Sequence, residues 1–129
     1  MSVTIAVVTA TLNAARHLPF LIDSLASQTD RRFEWIVADG GSTDGTIDLV
    51  TQAASRLASV SLIKEKDCGI YHAFNKAIQT TDSDYYLVAG ADDIFYPNAI
   101  NDYKTAIMCS GGDFVSAGVV INGQRRMSR

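Results

Sequence analysis

The feature that most constrains this chain is the alternation of short β-branched runs with apolar residues at helical spacing. Val3–Thr9 is a β-branched run of the kind buried on both faces of a parallel sheet. Leu18, Leu21, Ile22 and Leu25 follow at i, i+3, i+4 and i+7, one face of a helix, and Pro19 falls in its tolerant first turn. Phe33–Ala38 reads as a second strand. Ile47, Val50, Ala54 and Leu57 mark a second helix, with Thr43 or Asp44 as its N-cap. Val60–Lys64 is a third strand, and Ile70, Ala73, Phe74, Ala77 and Ile78 give the stripe of a third helix. Asp84–Ala89 and Phe114–Ile121 complete the strands, with a helix opening at Pro97 and carrying Ile100, Tyr103 and Ile107 between them. Strands joined by helices of this length form right-handed βαβ units. The fold class is α/β, a mostly parallel sheet with helices on both faces. Asn122-Gly123 is a strong hairpin signal, but Gln124–Arg129 is polar and short for a partner strand. The chain therefore reads as stopping partway through an element.

A chain of 129 residues that is 47% hydrophobic and 19% charged is expected to make one domain, without help from disulfides or a structural metal. Eleven Lys+Arg against fourteen Asp+Glu give a net charge of −3, and Arg125, Arg126 and Arg129 crowd the last five positions. With no basic stripe to meet phosphates, nucleic acid is excluded as a partner. Cys68 and Cys109 have no zinc-ligand spacing, and with no secretory signal a disulfide is not expected. No stretch approaches the roughly twenty apolar residues that span a bilayer. These features point to a reduced, cytoplasmic protein.

Ligands of open α/β sheets bind beyond the carboxyl ends of the strands. Those ends are Thr9-Ala10-Thr11-Leu12-Asn13, Asp39, Glu65-Lys66-Asp67 and Asp92-Asp93, so three of the four carry carboxylates. Like charges at one cleft repel unless a cation or a ligand rich in N–H and O–H donors compensates. The alternative is that these aspartates cap helices and bind water. Gly40–Gly45 has the GxxxxG spacing of a phosphate loop, but Thr46 stands where its lysine must be, and no GxGxxG occurs. A phosphoacceptor role for Asp39 is disfavoured because it opens a glycine-rich turn. His17 and His72 are the only histidines, and neither lies near a nucleophile elbow; His17 reads as a solvated helix-start residue.

Four ordered segments carry a resemblance. They are Val7-Val8-Thr9-Ala10-Thr11-Leu12-Asn13, Val37-Ala38-Asp39-Gly40-Gly41-Ser42-Thr43-Asp44-Gly45-Thr46, Glu65-Lys66-Asp67-Cys68-Gly69-Ile70-Tyr71-His72-Ala73-Phe74-Asn75-Lys76-Ala77-Ile78, and Gly90-Ala91-Asp92-Asp93 with Pro97-Asn98-Ala99-Ile100. Together they resemble the family 2 glycosyltransferases, inverting, nucleotide-sugar-dependent enzymes of the Rossmann-like GT-A fold. The resemblance implies a nucleotide-sugar site. Thr9, Thr11 and Asn13 would line its base and ribose side, and Asp39 would accept the imide N–H of a uracil-like base. Asp67, Asn75 and Ala91 would continue the pocket. Asn75 has an alternative reading as a polar residue on the solvent side of its helix. Asp92 and Asp93 fall at the family's metal motif, where Mg²⁺ or Mn²⁺ neutralises charge on the departing nucleoside diphosphate.

The chain departs from the family pattern at two positions. Gly90 stands where an aspartate that helps hold the ribose is common, and His72 replaces an acidic residue and receives no role. The family's catalytic base lies in a C-terminal half, so none is assigned, and residues 1–129 are expected to be an incomplete donor-binding domain. The implied donor is a nucleoside-diphosphate sugar, with UDP favoured. The implied acceptor is a saccharide or lipid-linked molecule of cell-surface polysaccharide synthesis, with peripheral membrane association through that acceptor. An unfinished sheet edge would favour an oligomer. The alternatives are a non-catalytic nucleotide-binding or assembly module, and a nucleotidyltransferase of related fold; the latter lacks the glycine- and basic-rich N-terminal loop that holds a triphosphate.

Overall fold

A computed structural model of the chain describes residues 4–64, 69–110, 118–121 and 124–127. Its elements are β1 (Ile5–Thr11), α1 (Leu18–Ala26), β2 (Glu34–Asp39), α2 (Thr46–Ala53), β3 (Val60–Lys64), α3 (Gly69–Thr80), β4 (Tyr85–Val88), α4 (Ala99–Ser110), β5 (Gly118–Ile121) and β6 (Gln124–Met127). The first four strands form a parallel sheet in the order β3-β2-β1-β4. The chain steps outward from β1 to β3, and α3 then returns it to the far side of β1. The order therefore reverses between β1 and β4, which opens a crevice at their carboxyl ends.

Strand alternation sends successive side chains to opposite faces. Ile5 and Val7, with Trp35 and Val37, meet Leu18, Leu21, Ile22 and Leu25 of α1, Val50 and Ala53 of α2, and Ile100, Tyr103 and Ile107 of α4. Ala6 and Val8, with Ile36 and Ala38, take Ala77 of α3 on the other face. Within the first face, the Trp35 indole N–H donates to Thr9 Oγ1 at 3.0 Å, and both residues are wholly enclosed. Each thereby satisfies a polar group that would be costly to bury alone.

A second polar tie joins the α1–β2 loop to α4. Gln28 donates to the carbonyls of Ser24 (3.0 Å) and Tyr96 (2.6 Å), and its Oε1 accepts the Ile100 N–H at 3.0 Å. Lys104 Nζ donates to the Arg32 carbonyl at 2.7 Å and reaches Asp30 Oδ2 at 3.0 Å. Burial would raise the Asp30 pKa. Hydrogen bonds from the Arg32 N–H and guanidinium and from Lys104 outweigh that and lower it to about 2.

Several element boundaries differ from the sequence pattern. β1 starts and ends two residues later than the β-branched run, because the ladder continues to the Thr11–Asp39 pair. α2 stops at Ala53, so Ala53 rather than Ala54 is buried, and Leu57 packs from the turn beyond it. Its N-cap is Gly45, not Thr43 or Asp44; the Asp44 carboxylate accepts the N–H and hydroxyl of Thr46 instead. α4 opens at Ala99 rather than Pro97, whose carbonyl accepts the Thr29 N–H at 2.8 Å. Gln124–Met127 does form a strand, antiparallel to β5 with Ile121 opposite Gln124. Backbone pairing does not need apolar side chains. The expected strand segment 114–117 lies outside the described residues, as do Glu65, Asp67 and Cys68. Among the described residues, no helix is long and apolar enough to cross a membrane.

Candidate functional site

β1 and β2 reach the crevice edge together, with Thr11 opposite Asp39. The Gly40 N–H donates to the Thr11 carbonyl at 2.9 Å and carries the ladder one step further. The chain then turns through Gly41, whose φ of 106° lies in the region that glycine alone enters without strain. The turn closes around the Asp39 carboxylate. Oδ1 accepts the hydroxyls of Thr11 (2.7 Å) and Ser42 (2.5 Å), and Oδ2 accepts the N–H groups of Gly41 (3.0 Å) and Ser42 (2.8 Å). Four donors match the roughly four lone-pair sites of a carboxylate. Asp39 is 0% exposed. That burial pushes its pKa upward, but the Ser42 hydroxyl and N–H, the Thr11 hydroxyl and the Gly41 N–H outweigh it and hold it below the ordinary value.

The loop after β1 is fastened to this turn. Asn13 has φ 52°, a left-handed conformation that asparagine tolerates better than most residues. Its Oδ1 accepts the N–H groups of Thr43 (2.8 Å) and Asp44 (3.3 Å), and its own N–H donates to Ser42 Oγ at 2.8 Å. Ala14 N–H donates to Thr46 Oγ1 at 2.9 Å and Ala15 N–H to Asp44 Oδ2 at 3.2 Å. Side chains of each loop thus satisfy backbone groups of the other. The Thr46 hydroxyl, against some desolvation and with the N–H groups of Thr46 and Ala15, lowers the pKa of Asp44.

Across the switch point the end of β4 is built differently. The Gly90 N–H donates to Asp93 Oδ2 at 2.6 Å, and the Asp93 N–H donates back to the Gly90 carbonyl at 3.1 Å. This reciprocal pair closes the turn around Asp93, which is 1% exposed, while Asp92 is exposed. A Cβ placed on Gly90 would meet Asp92 Oδ1 at 3.1 Å and Asp93 Oδ2 at 3.3 Å. One oxygen of each carboxylate thus borders the space beside residue 90.

A profile of glycosyl transferase family 2 matches residues 6–125. The chain belongs to glycosyltransferase family 2. A PGL/p-HBAD biosynthesis glycosyltransferase of Mycobacterium bovis is 38% identical over 91 residues, which cover 70% of this chain and 36% of that one. Among solved structures, S. aureus TarS 1-349 in complex with UDP-GlcNAc superposes with a TM-score of 0.73 at 26% identity, over 81% of this chain and 31% of TarS 1-349. The mannosyltransferase PcManGT of Pyrobaculum calidifontis, in complex with GDP-Man and Mn²⁺, gives a TM-score of 0.63 at 28% identity, over 70% of this chain and 28% of that one. The fold is the Rossmann-like GT-A fold that the sequence resemblance implied. This family 2 chain spans about a third of the length of the relatives it matches.

The residues expected at the site fall into distinct environments. Thr9 is enclosed within β1 with its hydroxyl on Trp35, and the Thr11 hydroxyl is held by Asp39. Asp39 could accept a base N–H only by releasing one of its four donors. The compensation expected from a ligand or cation comes here from the protein's own hydroxyl and N–H groups. Asn13 is exposed, with its carboxamide oxygen in the loop fastening. Asn75 is exposed on α3 beside His72, Lys76 and Gln79, at solvent-face spacing. Ala91 is half-buried, His17 is an exposed N-cap residue, and Asp67 lies outside the described residues.

Among the described residues, no three or more His, Cys, Asp or Glu side chains gather where they could hold a metal. Asp92 and Asp93 supply two hard oxygen donor groups, and this fits a Mg²⁺ or Mn²⁺ that takes most of its ligands from a diphosphate and water. An oxygen of each carboxylate lies beside Gly90, which is compatible with that fit. Ser42 and Thr46 have no expected role in the sequence pattern, and Asp44 has only that of a cap. Their signal was there, in a run of short polar side chains of the kind that bond to nearby backbone.

Proposed function

We propose that this family 2 chain supplies the donor-binding part of an inverting transferase. Its donor is a nucleoside-diphosphate sugar, UDP-linked in the first instance. Its acceptor is a saccharide or lipid-linked molecule of cell-surface glycan synthesis, which would bring the protein to a membrane surface. The observation that carries this reading is the pairing of a fastened β1–β2 loop frame with an exposed aspartate across the sheet's switch point. GDP-Man and Mn²⁺ in one structural neighbour and UDP-GlcNAc in another support the ligand class.

In this reading the nucleoside lies along the loops after β1 and β2. Asn13 and Asp39 fix those loops, and Thr9 and Thr11 set the strand end beneath them. Asp67, Asn75 and Ala91 are the further residues that the family resemblance assigns to the nucleotide-sugar site. Asp92 faces the diphosphate, and Asp93 holds the turn that presents it. A Mg²⁺ or Mn²⁺ bound there would neutralise charge on the departing diphosphate. The acceptor hydroxyl oxygen would attack the sugar carbon from the face opposite the diphosphate as the bond to the diphosphate oxygen breaks, inverting the carbon; its proton goes to a base that residues 1–129 are not assigned. Calorimetric titration of UDP with Mn²⁺ tests the reading. It predicts saturable heat that GDP or UDP elicits and that Mn²⁺ strengthens. No heat from any nucleoside diphosphate at millimolar concentration defeats it.

A further inference from the structure

We infer that the outer edge of β4 is a docking surface for a second copy of this chain, which pairs with it strand to strand, antiparallel, about a two-fold axis. The two edges of the parallel sheet differ. β3 presents exposed Ser61 and Lys64, and a lysine on an edge discourages pairing. β4 presents Tyr86 and Val88, 40% and 56% exposed, and carries no charged residue or proline between Tyr85 and Val88. Tyr85 and Ala89 donate their N–H groups to the carbonyls of Thr4 and Val8 in and beside β1. By alternation, the N–H and C=O groups of Tyr86 and Val88 point away from β1. Among the described residues β4 pairs only with β1, while β5 pairs with β6 in a separate sheet. The side chains are open as well. Tyr86 and Val88 stand beside Ala6 and Val8, on the face where Ala77 of α3 packs, yet both lie outside that cluster.

The occupant that fits this edge is the same strand reversed. Antiparallel strands exchange N–H and C=O groups between residues that lie directly opposite. Tyr86 set opposite Val88 of the second copy makes one such pair, and the two-fold repeats it with the roles exchanged. Each pair lays an aromatic side chain against a β-branched one on the same face, a combination that stabilises sheets. In this register Asp84 falls opposite Gly90 of the second copy and meets no carboxylate. Its own Oδ2 is already engaged, accepting the Thr4 N–H at 3.1 Å. Two chains of net charge −3 thus meet along an uncharged strand. The joined sheet ends in a β3 strand on both sides, and Lys64 on each closes the assembly at two copies.

Sedimentation equilibrium of the 129-residue chain, from micromolar to millimolar concentration, tests this. Wild type should follow a monomer–dimer equilibrium with a limiting mass of two chains. Tyr86→Lys and Val88→Lys should each weaken the dimer by about tenfold or more, because the two-fold doubles every loss. Ser61→Lys on the opposite edge should leave it unchanged. Circular dichroism checks that each variant folds. If a lysine variant does not, Tyr86→Thr and Val88→Thr, which keep the strand preference, decide in its place by the same weakening. A wild-type chain that stays monomeric throughout, or one that grows beyond two copies, overturns the inference. So does a dimer that the β4 variants leave intact or that Ser61→Lys weakens as much.

Discussion

Asp39 at the end of β2 and Asp92 after β4 occupy the same edge of one sheet, yet their surroundings are opposite. Asp39 is fully enclosed and receives four donors from its own chain. Asp92 is exposed, on a turn locked through its buried neighbour Asp93. A carboxylate at a strand end is therefore not by position alone a ligand group. It is part of the frame when the fold encloses it, and it stands where a ligand can reach it when it is exposed. The difference should appear as a separation between stability and binding when each residue is changed.

The largest effect is expected at Asp39. Asp39→Ala strands two hydroxyls and two N–H groups in an enclosed space and should lower unfolding free energy by about 3 kcal/mol in a urea melt. A loss below about 1 kcal/mol would mean the turn closes without it.

Asp30 sharpens the contrast, as a carboxylate of the frame that belongs to the α1–β2 loop. Its folded pKa is about 2 against an ordinary 3.8, so it is depressed. The stability it contributes is complete above the ordinary value and is lost as pH falls from there through about 2. The amount is on the order of 2 kcal/mol. Acid melts of wild type and Asp30→Asn should diverge above that window and converge within it. Parallel curves throughout would contradict the ion-pair account. Asp39 has the same sign, its contribution fading as pH falls below 3.8.

A smaller effect is expected at Asn13, where conformation and hydrogen bonding can be separated. Asn13→Gly keeps the left-handed backbone and removes the loop fastening, at about 1 kcal/mol. Asn13→Ala loses both, at about 2 kcal/mol. Equal losses in the two variants would show that the backbone conformation is unimportant.

The strands and helices were legible because their physics is local. Leu18, Leu21, Ile22 and Leu25 are a helical stripe wherever the helix sits, and all four are buried. Ala54 falls outside the buried face because the helix ends one residue before it. Gln124–Met127 forms a strand despite its polarity, because composition does not register backbone pairing. The motifs mark candidate segments, but not which of their side chains the fold encloses. Thr11 and Asp39 are 28 positions apart, Gln28 and Ile100 are 72 apart, and their hydrogen bonds exist only once the sheet is assembled. Nothing in Asp39 or Asp92 as residues distinguishes an enclosed carboxylate from an exposed one.

Asp92→Asn is the most direct test of the central claim that Asp92 serves a metal-assisted donor site while the β1–β2 loops serve as its frame. Urea melts should move by no more than about 0.5 kcal/mol, as for an exposed residue. UDP affinity measured with Mn²⁺ should fall tenfold or more, about 1.4 kcal/mol, while the metal-free affinity holds. A destabilised protein with unchanged Mn²⁺-dependent affinity would contradict the account and make Asp92 one more part of the frame.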